Sequence, residues 1–188
     1  MRTIVSAFSS PRLVASVLLS LVVTAGCGDN NHIPEVDARV EDLDMRAEDF
    51  ECIRNWDKVR GFFVTNKLGH KTETLAVANA GEGTYPVGTV IQLVPFEAMV
   101  KRRPGFSPAS NDWEFFAIKD NADGTTTIVE RGGTSDVKNQ FNGKPCLDCH
   151  ALAKPQYDLV CEKSHGCESL GIPDSVIENA QKADKRCK

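Results

Sequence analysis

Trp113-Glu114-Phe115-Phe116-Ala117-Ile118, Asn121-Ala122-Asp123-Gly124 and Thr125-Thr126-Thr127-Ile128-Val129 follow one another along the chain. An aromatic-rich run, a turn signal and a mostly β-branched run in that order predict an antiparallel hairpin. The same reading extends outward. Val59 to Thr65, Thr74 to Ala78, Thr89 to Val94 and Ala98 to Lys101 all read as strands. Leu68-Gly69, Gly81-Glu82-Gly83, Pro86-Val87-Gly88 and Arg103-Pro104-Gly105 separate them as turns. Phe50 to Trp56 reads as a short helix packing Phe50, Ile53 and Trp56. Asp174 to Lys185, entered after Pro173, reads as another, with Val176, Ile177 and Ala180 on one face. The predicted class is α+β: a mostly antiparallel sheet with short helices at the N-terminus, at residues 146–150 and at the C-terminus. No internal repeat and no second domain boundary is visible.

The last of these places for a helix holds Cys146-Leu147-Asp148-Cys149-His150, a C-x-x-C-H run. This is the attachment signature of c-type haem. Residues three apart share one face of a helical turn, so two thiols so placed can each bond one vinyl group of a single porphyrin. His150, next in the chain, is then the proximal iron ligand. Pro145 suits the first turn of the helix and Pro155 ends it. A C-x-x-C pair also occurs as a redox dithiol, a disulfide or half a zinc site. Cys161 and Cys167, six apart, are a poor second zinc pair, and no βαβ context of a thioredoxin-like motif precedes the run. The expected cofactor is one covalent haem c.

Haem is attached outside the cytoplasm, and the N-terminus reads as an export signal. Arg2 and Arg12 precede an apolar stretch from Leu13 to Val23, too short to span a membrane. Thr24-Ala25-Gly26-Cys27 then resembles a bacterial lipobox, with Thr24 in place of the usual leucine. Residues 1–26 are thus expected to be a lipoprotein signal peptide and Cys27 to carry lipid, anchoring the protein at the bacterial cell envelope, facing the periplasm or the cell surface. Residues 27–49 read as a polar, acidic tether with His32 solvated, and 50–188 as the domain, its tail at 173–188. The full chain has 188 residues and a net charge of −4; without its signal, which holds two arginines and no acid, the charge is −6. That balance argues against nucleic acid as a partner and is compatible with a basic redox partner protein.

Seven cysteines are present. Lipid takes Cys27 and haem takes Cys146 and Cys149. Cys52, Cys161, Cys167 and Cys187 remain, an even set in an oxidising compartment, with three pairings open to them. Cys161–Cys167 would close a small loop containing Gly166, and Cys52–Cys187 would tie a fraying C-terminal helix to the first one. These two disulfides are the expectation, against a Cys187 that is free or pairs between molecules.

Gly69-His70, Tyr85-Pro86-Val87-Gly88-Thr89-Val90-Ile91, Met99-Val100-Lys101, Asn111-Asp112-Trp113-Glu114-Phe115-Phe116 and Cys146 to His150 occur in one order. That order resembles the cytochrome P460 family, which includes the β-sheet cytochromes c′, over roughly residues 50–160. The resemblance implies a β-rich haem domain, often a homodimer, with one haem on a C-terminal C-x-x-C-H and an iron open on its distal side. Members of the P460 type cross-link a lysine to the haem. The matching position here is Leu93, and the next lysine is Lys101. The chain is therefore not committed to being an enzyme of that type. Binding a small gas or nitrogen oxide, or carrying electrons, is the role implied. Lys101 reads as a strand lysine facing solvent, Met99 as core, His70 as a turn residue and His165 as an exposed loop residue. Glu97 and Glu114 read as solvent-facing strand residues. The alternative function is a haem-free, disulfide-stabilised interaction domain with Cys146 and Cys149 paired.

Overall fold

The computed structural model describes residues 40–188. The expectations for residues 1–26, Cys27, His32 and the first part of the tether lie outside the described residues. Six strands form one antiparallel sheet in sequential order: β1 (Asp57–Val59), β2 (Phe62–Asn66), β3 (Thr89–Gln92), β4 (Glu97–Lys101), β5 (Trp113–Asp120) and β6 (Thr126–Gly132). Three short helices accompany them: α1 (Lys71–Ala80), α2 (Cys146–His150) and α3 (Asp174–Lys182). The architecture is α+β, as predicted. The Asn121–Gly124 turn joins β5 to β6, with the Asn121 N–H donating to Thr125 O at 2.8 Å. Among the described residues no helix is long and apolar enough to cross a membrane.

Two strand expectations are corrected. Val59 to Thr65 is not one strand but a tight hairpin, because Arg60 adopts φ 50° and the chain reverses at Arg60-Gly61. Thr74 to Ala78 is not a strand but the middle of α1. Ala76, Ala78 and Ala80 favour helix. Thr74 and Ala78, one turn apart, are both fully buried, and Gly81 at φ 77° closes the helix by donating its N–H to Val77 O. A short alternating run also fits helical spacing, and here tertiary burial decides between the two.

The sheet has two buried faces. On one, Phe62, Val64, Ile91, Met99, Trp113, Phe115 and Ala117 pack with Ala78 of α1 and with Val137, Leu147 and Val160. On the other, Phe63, Val90, Ala98, Val100, Phe116 and Ile118 pack with Met45, Phe50, Ile53 and Trp56. The packed domain therefore begins before Phe50. Met45 is completely buried, and Asp42 and Asp44 pair with Arg102 and Arg131, which also hold the buried Glu114. The Arg102 guanidinium beside Asp42 holds that carboxyl down at about 2. Glu114 thus does not face solvent; it is neutralised by two arginines. Phe50, Ile53 and Trp56 do pack together, around a 3-10 turn at Ile53–Asn55.

Gly88 accounts for one motif. It sits at φ 83°, and a Cβ there would lie 2.7 Å from Leu68 Cγ. Its N–H donates to Lys101 O at 2.9 Å and its carbonyl accepts from Lys67, which stitches this turn between β2 and β4.

The C-terminal segment is tied down as expected, by a Cys52–Cys187 disulfide, and Cys161–Cys167 forms the second. Around the first, the buried Asp184 accepts from the Ile53 N–H at 2.9 Å and pairs with Arg186. Gln181 donates to Gly61 O and Leu93 O at 2.8 Å each. Its buried place shifts the packed face of α3 to Ile177, Ala180 and Gln181; Val176, expected inside, is exposed.

Candidate functional site

The C-x-x-C-H run forms α2, a five-residue helix with Pro145 before its first residue. The loop that feeds it is pinned at both ends. Cys146 N–H donates to Val137 O at 2.9 Å, and Val137 is buried in the sheet's first face. Glu97, at the start of β4, accepts from the Gln140 N–H at 2.5 Å and from Asn139 Nδ2 at 3.1 Å. Glu97 is half-buried and its pKa is raised by that burial. It is not a mere solvent-face residue but the clasp of the loop entering α2.

Leu147 is buried under the sheet, and Cys146 packs against the same cluster as Leu93, Met99 and Phe115. Met99 is core, and Leu93 lies half-buried on the motif's side of the sheet. Cys146 and Cys149 are unpaired while the other four cysteines of the domain are bonded. Burial pushes the Cys146 thiol up to about 12, with the nearby Glu97 carboxylate adding to it. Burial also raises Cys149, whose thiol lies 3.7 Å from Glu168 O. Both sulfurs are therefore protonated at neutral pH. A reactive dithiol works through its thiolate, which this burial disfavours. Among the described residues the one set of ligand atoms close enough together for a metal ion is Cys52, Asp184 and Cys187, two of which are a disulfide. Cys146, Cys149 and His150 do not converge in that way.

His150 Nδ1 lies 2.7 Å from Leu159 O. A carbonyl only accepts, so Nδ1 carries the proton and the neutral ring keeps its lone pair on Nε2. Burial pushes the His150 pKa below the ordinary histidine value, which favours that neutral ring. Among the described residues Nε2 has no hydrogen-bond partner. Phe115 flanks the ring, with centroids 5.1 Å apart.

The other side chains singled out from sequence lie elsewhere. His70 stands in the turn before α1 and pairs with Glu41 at 2.8 Å. His165, expected on the surface, is buried: it stacks on Tyr157 at 3.7 Å and donates Nδ1–H to Val160 O at 2.7 Å. Lys101, expected in solvent, is 6% exposed; its Nζ donates to Asn111 O at 2.7 Å and to both oxygens of Asp158 at 2.8 Å. Nothing in the sequence marks Asp158 or the Leu159 carbonyl as partners of these groups. Two surface depressions, of about 420 and 400 Å³, lie near Lys101–Asp158 and near Tyr157–His165. Neither is lined by Cys146, Cys149 or His150. No protein-family model, curated protein or solved structure matches the chain.

Proposed function

We propose that this domain is a monohaem c-type cytochrome, with Cys146 and Cys149 as the tethering thiols and His150 Nε2 as the iron ligand. The observation that carries the reading is the His150 ring. Its Nδ1 proton is committed to Leu159 O, which leaves the lone pair on Nε2, and the same short helix carries two unpaired thiols. Haem-ligating histidines need that division of labour between their nitrogens. The donor set fits the group: two protonated thiols three residues apart, one oriented imidazole and an apolar surround from Leu93, Met99, Leu147 and Phe115. Bound there, haem supplies an iron centre for one-electron transfer and for binding small ligands.

The order of motifs that resembles the cytochrome P460 family supports the same reading. Leu93 has no nucleophile to offer a porphyrin, and all three Lys101 donors are occupied. Both favour the c′-like role, binding nitric oxide or another neutral small ligand or passing electrons to a partner, over P460-type oxidation of a nitrogen compound. An apolar surround favours a neutral ligand over a charged one, because burying an unpaired charge is costly.

Protein made with the haem-attachment machinery is expected to gain the mass of one haem and to lose it in a Cys146→Ser, Cys149→Ser variant. Reduced protein is expected to change its absorption spectrum with carbon monoxide or nitric oxide. A haem-free product with a Cys146–Cys149 disulfide would instead establish the disulfide-stabilised interaction domain. The cellular setting rests on the sequence alone: a bacterial envelope lipoprotein anchored at Cys27. Cys27→Ser is expected to leave the membrane fraction or to remain unprocessed, and unchanged detergent-dependent fractionation would refute the anchor.

A further inference from the structure

The carbonyl that receives the His150 proton belongs to an unusual turn. Asp158 and Leu159 are consecutive residues in the left-handed region, at φ 48° and 60°. Residues with a Cβ avoid that conformation, and two in succession persist only where the surroundings over-determine them. Asp158 is held from three directions. Lys101 Nζ donates to each of its carboxylate oxygens at 2.8 Å. The Tyr85 N–H donates to Oδ2 at 2.9 Å. Trp113 Nε1 donates to its carbonyl at 2.7 Å. Lys101 is fixed in turn by Asn111 O and lies 5.0 Å over the Trp113 ring.

Both charges are buried, their side chains 7% and 5% exposed. A buried ion pair is expensive to desolvate, and an apolar pair of similar volume often serves stability as well. Charge here supplies direction. Lys101 on β4, Trp113 on β5 and the Tyr85 backbone in the loop before β3 all meet on Asp158. The very next carbonyl is the one His150 uses.

We propose that the Lys101–Asp158 ion pair is a positioning device for His150: it locks the left-handed Asp158–Leu159 turn, so that the Leu159 carbonyl faces Nδ1 and fixes the tautomer that leaves Nε2 for the iron. Lys101 and Asp158 touch neither α2 thiol nor the ring; they act through Leu159. The functional consequence rests on the reading of His150 as the haem ligand, whereas the geometric claim concerns this chain alone. A hydrogen bond to a carbonyl raises the basicity of a ligating imidazole, and so favours the oxidised metal.

The test compares full-length wild type with the double variant Lys101→Met, Asp158→Asn, which removes both charges together and leaves neither unpaired. In haem-free chain, the His150 Nδ1–H followed by ¹⁵N NMR is expected to exchange about tenfold faster or more in the variant, as local opening becomes easier. In haem-loaded chain, the reduced-to-oxidised ratio at a fixed potential is expected to rise about threefold, roughly 28 mV at 59 mV per tenfold for one electron. Unchanged exchange and an unchanged ratio in a folded variant would overturn the proposal. If the double variant does not fold, Trp113→Phe, which removes one donor to Asp158 O and no charge, takes its place in the same two measurements. Faster exchange and a higher ratio are again expected, and no change in either again overturns the proposal. If wild type takes up no haem, the reading of His150 as a ligand fails, and the exchange comparison alone decides whether the ion pair positions the ring.

Discussion

His150→Ala is expected to keep the haem and lose its proximal ligand. On the proposed reading attachment would run through Cys146 and Cys149, which the substitution leaves intact, so mass spectrometry is expected to find close to one haem per chain. The iron then has no imidazole, and the absorption bands of both oxidation states are expected to move. The protein itself is affected less. Leu159 O loses its donor, and an unpaired polar group of this kind costs about 1–3 kcal/mol where water cannot reach it. His150→Asn restores a donor, its Nδ2 standing at the same remove from the chain as Nδ1, without restoring an imidazole. It is therefore expected to recover stability but not the spectrum. A spectrum unaltered by His150→Ala would show that the iron is bound by another residue.

The second large effect concerns stability. Cys52 and Cys187 are 135 residues apart, so their bridge closes nearly the whole described domain into one loop. In the chain-entropy picture such a loop contributes about 5 kcal/mol, against roughly 2 kcal/mol for the six-residue separation of Cys161–Cys167. Since domains of this size are stable by only about 5–15 kcal/mol in all, the longer bridge alone decides whether the fold survives warming. Cys52→Ala, Cys187→Ala is therefore expected to lower the urea midpoint far more than Cys161→Ala, Cys167→Ala. Release of the tail also frees Asp184 from the Ile53 N–H and exposes the Asp184–Arg186 pair to water. Equal losses for the two variants would mean that the tail is held by those polar contacts and not by the bridge.

What is legible in the sequence follows from what each element depends on. β3 to β6 and the Asn121–Gly124 hairpin rest on local chemistry, β-branched and aromatic runs closed by turn residues, and they stand where that chemistry puts them. Both disulfides are accessible too, one because its loop is short and the other because a charged terminal helix needs an anchor. α1 passes for a strand because a five-residue window suits either period, and only the burial of Thr74 and Ala78 chooses. The domain starts earlier than its sequence suggests because Asp42, Asp44 and Met45 look like a polar tether until Arg102, Arg131 and the second sheet face are placed beside them. The site divides in the same way. Cys146, Cys149 and His150 carry a motif, and one short helix holds all three. Their surroundings carry none. Leu159 contributes a main-chain oxygen, which no side chain advertises, and Lys101 meets Asp158 across 57 positions of sequence. Glu97 looks ordinary for the same reason, its partner being a backbone group of a distant loop, and His165 because its partner is the main-chain carbonyl of Val160.

The separation of the cysteines into bonded and unbonded sets bears on how the molecule matures. On the proposed export, six thiols outside the cytoplasm could oxidise in fifteen fully paired ways, of which one joins Cys52 to Cys187, Cys161 to Cys167 and Cys146 to Cys149. Withholding Cys146 and Cys149 reduces the problem to three. The longer bridge joins residues 135 apart, so it closes only after all of the chain between them has been made. Capture of the two motif sulfurs as thioethers before that moment would remove them permanently from disulfide exchange. Cofactor loading would then double as an error filter for oxidative folding, and a strain defective in haem attachment would accumulate scrambled isomers of this protein rather than a clean, haem-free form.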